Sequence, residues 1–358
     1  VLQPTYEGDF TFARDEPFVL AAGGQLRPVT LRYACYGDLG RCRDRVILVC
    51  HALSGSARAA EWWADLFGPD RPFDPGRSCV VCVNILGSCY GSTGPSSTDA
   101  STGMPYGGDF PLVGIDDMVR AQAALLDHLG VGALHAVVGG SIGGMQALAW
   151  AVRYGSRVRR CVSIGAAPLN ALALALNHMQ QQAIRQDPAW RDGRYAPDEP
   201  PAAGLALARA IATCTYKSAG LLARRFGRSP NRTGEDPRRS LRGRFDVGGY
   251  LDYQGELFNR RFDANSYLVL SRAMDAFELG ATAEEEAAAL AGVEAAVTLV
   301  GISTDWLFPP ADVRGLAERM AAAGVNVEYR ELDSEHGHDG FLADAADLAG
   351  VLRAALEA

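Results

Sequence analysis

One short stretch constrains this chain more than any other. The apolar run HisAlaValValGlyGly, residues 135–140, leads directly into Ser141-Ile142-Gly143 and then into GlyMetGlnAlaLeuAlaTrpAla. A near-continuous apolar run of strand length marks a strand covered on both faces, the pattern of a parallel sheet's interior. The alanine-rich segment after it is a helix former. G-x-S-x-G at a strand-to-helix junction is a sharp turn that exposes a serine hydroxyl at the sheet edge. The helix that begins there points its positive end at any anion beside the serine. With 40 glycines in the chain, the pentapeptide alone would also fit an ordinary turn. The strand before it and the helix after it single it out.

Other runs repeat the strand signal at 45–51, 79–84, 160–165, 297–302 and 326–332. Helical spacing appears at 116–129, where Met118, Ala121, Leu125 and Leu129 share a face and two acids open the segment. Residues 143–153 and 311–323 also read as helices. Alternating strands and helices predict an α/β fold with a mostly parallel sheet and helices on both faces. The middle of the chain departs from this alternation. Residues 167–290 are rich in Ala, Leu, Gln and Arg and carry almost no strand signal. They are expected to form an inserted helical cap, with residues 1–166 and 291–358 as the core domain. Within that segment, 281–291 reads as an amphipathic helix. The basic loop 228–240 reads as solvated, with contact to a phosphorylated ligand as the other reading.

Composition excludes several functions. The net charge of −8 supplies no basic face for nucleic acid. No apolar run reaches the ~18–20 residues of a membrane span. The start, ValLeuGlnProThrTyrGluGlyAsp, has neither the basic nor the apolar region of a signal peptide. Cys79 and Cys82 form a CxxC, but inside the strand-like SerCysValValCysValAsn, so they read as buried hydrophobes and not as a metal or redox site. Eight cysteines, most of them in apolar runs, suit a reducing compartment. The expected location is the cytoplasm, with no metal and no bound cofactor.

A serine hydroxyl is a weak nucleophile and needs a base oriented by an acid. In the α/β-hydrolase fold the chain order is serine, acid, histidine. Asp305 follows a predicted strand, and His338 follows the next one. The gap of about 33 residues leaves room for one helix and one strand, so both side chains reach the same sheet edge as Ser141. His336 competes with His338 for the base. The oxyanion hole calls for two backbone N–H groups. Ile142, after the nucleophile, is one. Leu53, in the loop HisAlaLeuSerGly after an early strand, is the other candidate.

Nine segments carry a further likeness: CysHisAlaLeuSerGly (50–55), AsnIleLeuGlySerCysTyrGlySerThrGlyPro (84–95), GlyAspPhePro (108–111), ValGlyGlySerIleGlyGlyMetGlnAlaLeuAlaTrpAla (138–151), ArgArgPheGlyArg (224–228), TyrLeuAspTyrGlnGly (250–255), ArgPheAspAlaAsnSerTyr (261–267), SerThrAspTrpLeuPheProPro (303–310) and GlyHisAspGlyPheLeu (337–342). In this order they resemble the homoserine O-acetyltransferase family, CoA-dependent acyltransferases of the α/β-hydrolase fold. The resemblance implies Ser141, Asp305 and His338 as the triad and favours His338 over His336. It implies Arg225 as the residue that grips the substrate carboxylate and Asp339 as the partner of its ammonium. It implies acetyl-CoA as co-substrate, L-homoserine as acceptor, a place in methionine biosynthesis, and a homodimer through the cap. Ser54-Gly55-Ser56 stands where the family has Thr-Gly-Asp, Val247-Gly248-Gly249 where it has Val-Glu-Ser, and Ile142 where it has Met. These changes leave open the acceptor (homoserine, serine or a specialised metabolite) and the donor (acetyl- or succinyl-CoA). A serine esterase and a binding module without catalysis are the readings from other classes.

Overall fold

Six parallel strands, each 5–7 residues long and five of them almost wholly buried, run through the molecule in a computed structural model that describes residues 1–234 and 236–357. The chain contributes β1 (Tyr6–Phe12), β2 (Phe18–Val19), β3 (Gln25–Leu26), β4 (Val29–Tyr36), β5 (Val46–Cys50), β6 (Cys79–Val83), β7 (Ala136–Gly140), β8 (Arg160–Ile164), β9 (Ala296–Ile302) and β10 (Val327–Leu332). The main sheet has eight strands in the order β1-β4-β6-β5-β7-β8-β9-β10. From β6 to β10 every neighbour is parallel, while β4 pairs antiparallel with both β6 and β1. The six parallel strands lie where the apolar runs predicted them. The hairpin of β1 and β4 was not among the expected strands. Its outer strand, TyrGluGlyAspPheThrPhe, has no fully buried residue and gives no apolar run.

Alternation along the strands builds two cores. Val46, Leu48 and Cys50 face one layer, and Ile47 and Val49 face the other. Helices α2 (Ile115–His128), α3 (Ile142–Arg153) and α10 (Pro310–Ala322) cover the first face through Met118, Leu148 and Leu316. Helices α1 (Ala59–Trp62) and α12 (Ala345–Glu357) cover the second, with Trp63, Leu348 and Leu352. The short α11 (Gly340–Ala343) precedes α12. Cys79 faces one core and Cys82 the other, so the two thiols of the CxxC point apart.

Between β8 and β9 the described residues form helices and no strand: α4 (Ala171–Arg185), α5 (Ala202–Tyr216), α6 (Ala219–Phe226), α7 (Asp246–Asn259), α8 (Ala264–Asp275) and α9 (Ala283–Ala291). Side chains cap four of them. Asn170 accepts from the Ala173 amide, Ser218 from Leu221, Asp263 from Ser266 and Thr282 from Glu285. α9 leans on α10 through the Arg319–Glu286 ion pair at 2.9 Å. In the basic loop, Arg232 pairs with Asp246 and Arg238 with Asp236, and none of the loop's arginines lines the cavity that holds Ser141. Residue 235 of that loop lies outside the described residues.

Candidate active site

The C-terminal ends of β5, β6, β7 and β10 converge on one cavity of about 680 Å³, and the loop after β9 lies behind it. β7 delivers Ser141 at φ 59° and ψ −127°, a left-handed conformation that a side chain adopts only under constraint. The constraint is close packing. A Cβ at Gly139 would lie 2.2 Å from the Gly143 carbonyl oxygen, and one at Gly143 would lie 2.1 Å from that of Cys50. Only glycine permits this approach of strand, turn and helix. Ile142 is the first residue of α3, so its N–H has no acceptor within the helix.

Asp305 and His338 meet 33 residues apart in sequence. His338 Nδ1 donates to Asp305 Oδ2 at 2.6 Å, with both side chains almost fully buried. The second carboxylate oxygen of Asp305 accepts from the amides of Leu307 and Phe308, each at 2.9 Å. The loops that carry the pair are tied together. Thr304 donates from Oγ1 to the Ser334 carbonyl at 2.6 Å and accepts from the Gly337 amide at 3.0 Å. Ser303 Oγ donates to Asp333 at 3.0 Å and accepts from the Ser334 amide at 2.9 Å. Burial of the imidazole pulls its pKa down, but the charge and hydrogen bond of Asp305, with help from Asp339, outweigh it and leave it raised. His338 Nε2 is buried without a hydrogen-bond partner, and His338 and Ser141 line the same cavity. Phe308 stacks on the ring at 5.2 Å and Phe341 meets it edge-on at 5.6 Å, which fixes its plane. His336 is bound instead to Asp344 at 3.0 Å and does not line the cavity.

The loop after β5 brings Leu53 to the cavity wall. His51 secures its root. Nδ1 donates to the Ala52 carbonyl at 2.7 Å, and Nε2 accepts from the Ile85 amide at 3.0 Å. Full burial pushes the His51 pKa down to about 4, so the ring stays neutral in this one tautomer.

Two substrate-binding expectations fare differently. Asp339 lines the cavity beside His338, and its Oδ2 is held by Lys217 Nζ at 2.6 Å. Arg225 does not line it. Its position on the exposed side of the short α6 turns the guanidinium over the ring of Tyr250, at 4.7 Å. The cavity is lined instead by Arg209 of α5, a residue the sequence does not single out. Its guanidinium lies 4.9 Å from the Phe258 ring and 5.5 Å from the Tyr216 ring, with no carboxylate in ion-pair reach among the described residues. The missed signal was an arginine flanked by the buried small residues Ala208 and Ala212 in an otherwise alanine- and leucine-rich helix. A cavity cation without a protein carboxylate is open to an anion from solution. Tyr90, Arg58 and Arg261 also line the cavity, and strand β1 contributes Glu7.

Together the site offers a serine on a strained turn, a buried histidine–carboxylate pair, two candidate amide donors and a cation near a carboxylate. Among the described residues no cluster of His, Cys, Asp and Glu suits a metal ion, and no helix is long and apolar enough to cross a membrane. A family model for the alpha/beta hydrolase fold matches residues 45–345. The homoserine O-acetyltransferase of Symbiobacterium thermophilum is 45% identical over 341 residues, covering 92% of this chain and 89% of its own. The homoserine O-succinyltransferase of Bordetella avium is 42% identical, covering 96% of this chain and 86% of its own. The crystal structure of homoserine O-acetyltransferase from Bacillus anthracis superposes with a TM-score of 0.92 at 26% identity, over 100% of this chain and 99% of that one. Likeness at this level over nearly the whole length extends far beyond the serine turn, and the chain belongs to the homoserine O-acetyltransferase family of the α/β-hydrolase fold.

Proposed function

We propose that the protein transfers an acetyl group from acetyl-CoA to the hydroxyl of L-homoserine through an acyl-serine, with Ser141, His338 and Asp305 as its triad. Ser141 Oγ attacks the thioester carbonyl while its proton passes to His338 Nε2. The oxyanion forms against the amides of Leu53 and Ile142. Collapse breaks the carbon–sulfur bond, and His338 returns the proton to the departing thiolate. In the second half His338 takes the proton of the acceptor hydroxyl, whose oxygen attacks the acyl carbonyl. The second tetrahedral adduct then expels Ser141, which recovers its proton from His338. Asp305 holds the imidazole in the required tautomer and stabilises its charged form. CoA is a co-substrate, and no step calls for a metal.

Arg209 takes the acceptor's carboxylate in this reading, replacing Arg225, and Asp339 pairs with its ammonium. A planar fork suits a carboxylate. The helical segment 167–290 acts as a cap that walls off the cavity over a core of 1–166 and 291–358. Exclusion of water favours transfer over hydrolysis. A homodimer through the cap, a cytoplasmic location and a role in methionine biosynthesis complete the proposal. The observation that carries it is the buried Asp305–His338 bond, which leaves Nε2 unpartnered in the cavity of Ser141.

The test has two arms. Mass spectrometry after brief exposure to acetyl-CoA should find one acetyl group on the protein, absent from Ser141→Ala. A free-thiol assay should then compare acetyl- and succinyl-CoA against homoserine, serine and water. Faster turnover with succinyl-CoA would move the donor assignment toward the Bordetella relative's named activity, and turnover with water alone would make the protein an esterase. An acetyl adduct that survives Ser141→Ala would overturn the nucleophile.

A further inference from the structure

The loop that carries Leu53 is held at two ends from two different parts of the molecule. His51 and the Ile85 amide hold its root to the sheet. Its tip is held from the helical segment. Arg261, in the turn between α7 and α8, donates from Nη1 to the carbonyl oxygen of Ser54 at 3.0 Å, across 207 residues of sequence. The same nitrogen donates to the Tyr90 hydroxyl at 2.9 Å, and the guanidinium lies over the Phe258 ring at 5.1 Å. Arg261 has no carboxylate in ion-pair reach among the described residues. Its hydrogen bonds on this side therefore go to a backbone carbonyl and a phenol.

We infer that Arg261 is a positioning residue for the oxyanion hole, acting through the Ser54 carbonyl on the Leu53 amide. Ser54 follows Leu53 directly. The Leu53 N–H shares a peptide plane with the Ala52 carbonyl, which His51 Nδ1 and the Gly55 amide hold at 2.7 and 2.8 Å. The Ser54 carbonyl anchors the same tight turn from its far side, so releasing it loosens the few backbone rotations of the turn that aims the Leu53 N–H. An oxyanion donor works only when its direction is set before the charge develops. Arg261 steadies it from the same helical segment that supplies Arg209 and Tyr216 to the cavity, and Phe258 lies under both arginines. The segment thus does more than wall off the site: seating it against the sheet completes the oxyanion hole. This inference rests on the proposed role of Leu53.

The test uses p-nitrophenyl acetate, an ester that requires only Ser141 and the oxyanion hole, and an aliphatic trifluoromethyl ketone, which forms a charged adduct on an active serine. Arg261→Ala should lower the saturating burst rate about tenfold, less than the ~10²–10³-fold lost with a whole donor. The affinity of the ketone should fall by the same factor, with the half-saturating ester concentration unchanged within twofold. Arg261→Lys should restore part of both losses, since an ammonium also donates to a carbonyl. An unchanged burst overturns the inference. So does a burst rate that falls while ketone affinity is kept, and so does a loss confined to half-saturation, which would make Arg261 a ligand contact. A wild-type protein that gives the ester burst but no thiol from acetyl-CoA refutes the proposed donor and leaves this inference standing on its own result.

Discussion

Replacing Arg209 with alanine separates the two halves of the proposed reaction. The guanidinium is flanked by the Phe258 and Tyr216 rings, at 4.9 and 5.5 Å, and finds no protein carboxylate in reach. A substrate carboxylate there would meet a cation placed beside two aromatic rings. Losing one partner of a desolvated charge pair costs ~2–5 kcal/mol. Arg209 is only partly buried, and solvent in the cavity screens it, which places the expected loss near the low end, ~2–3 kcal/mol. At ~1.4 kcal/mol per decade, that is roughly a 30- to 150-fold fall in kcat/KM for homoserine. Acylation of Ser141 needs no acceptor, so the burst of thiol from acetyl-CoA alone should keep its rate. Stopped-flow thiol detection with and without homoserine reads both quantities, and a melting curve checks the fold. Arg209→Lys should recover little, because a point charge cannot reproduce the bidentate fork. Arg225→Ala, on the exposed face of α6, should stay within about twofold of wild type. A large loss in Arg225→Ala, or an Arg209→Ala that abolishes the burst and spares transfer, would refute this role of Arg209.

Asp305→Asn should fold, because the Leu307 and Phe308 amides still find an oxygen, yet lose turnover by about 10⁴-fold as the His338 tautomer is released. His338 must be neutral to accept a proton, and its pKa is raised, so wild-type kcat/KM should fall below a midpoint above 6.5. In Asp305→Asn the residual rate should fall at a lower pH than in wild type, and a midpoint that stays put would assign the shift to another group. His51 titrates in the opposite sense. Its folded pKa is about 4 against 6.5 for a free imidazole, so the unfolded chain binds the extra proton between those values. Stability is therefore full above pH 6.5 and drops by about 3 kcal/mol as the pH falls to 4, at ~1.4 kcal/mol per unit. Urea titrations across that range should show the slope in wild type and lose most of it in His51→Gln. Gly143→Ala should yield little soluble protein, because its Cβ meets backbone at 2.1 Å. Gly350→Ala, with open space around it within α12, should raise stability by ~1 kcal/mol. A stable Gly143→Ala would remove the packing argument for the serine turn.

The sequence by itself determined the parallel sheet, because strands covered on both faces read as near-continuous apolar runs, as β5, β6, β7 and β9 do, while the half-exposed edge strand β10 shows only β-rich spacing. It marked Ser141, Asp305 and His338, since strand ends in a parallel sheet share one edge, the G-x-S-x-G turn marks the serine and the chain order of the fold supplies the acid and the histidine after it. The structure joins Asp305 to His338 and puts His338 in the cavity of Ser141, while His336 is bound to Asp344. The hairpin of β1 and β4 escaped because its edge strand is half polar, and with it went Glu7 of the cavity wall. The substrate end of the site was the least legible. Arg225 stands in a conspicuous motif, ArgArgPheGlyArg, yet one turn of a short exposed helix points it at Tyr250. Arg209 stands in a plain alanine-rich helix and faces the cavity. Which face of a helix meets a cavity depends on how that helix packs on its neighbours, and the packing of α5 against α4, α7 and the His338 loop is written in no single stretch of sequence. Local pattern fixes what a residue can do, but only the tertiary arrangement decides what it does it to.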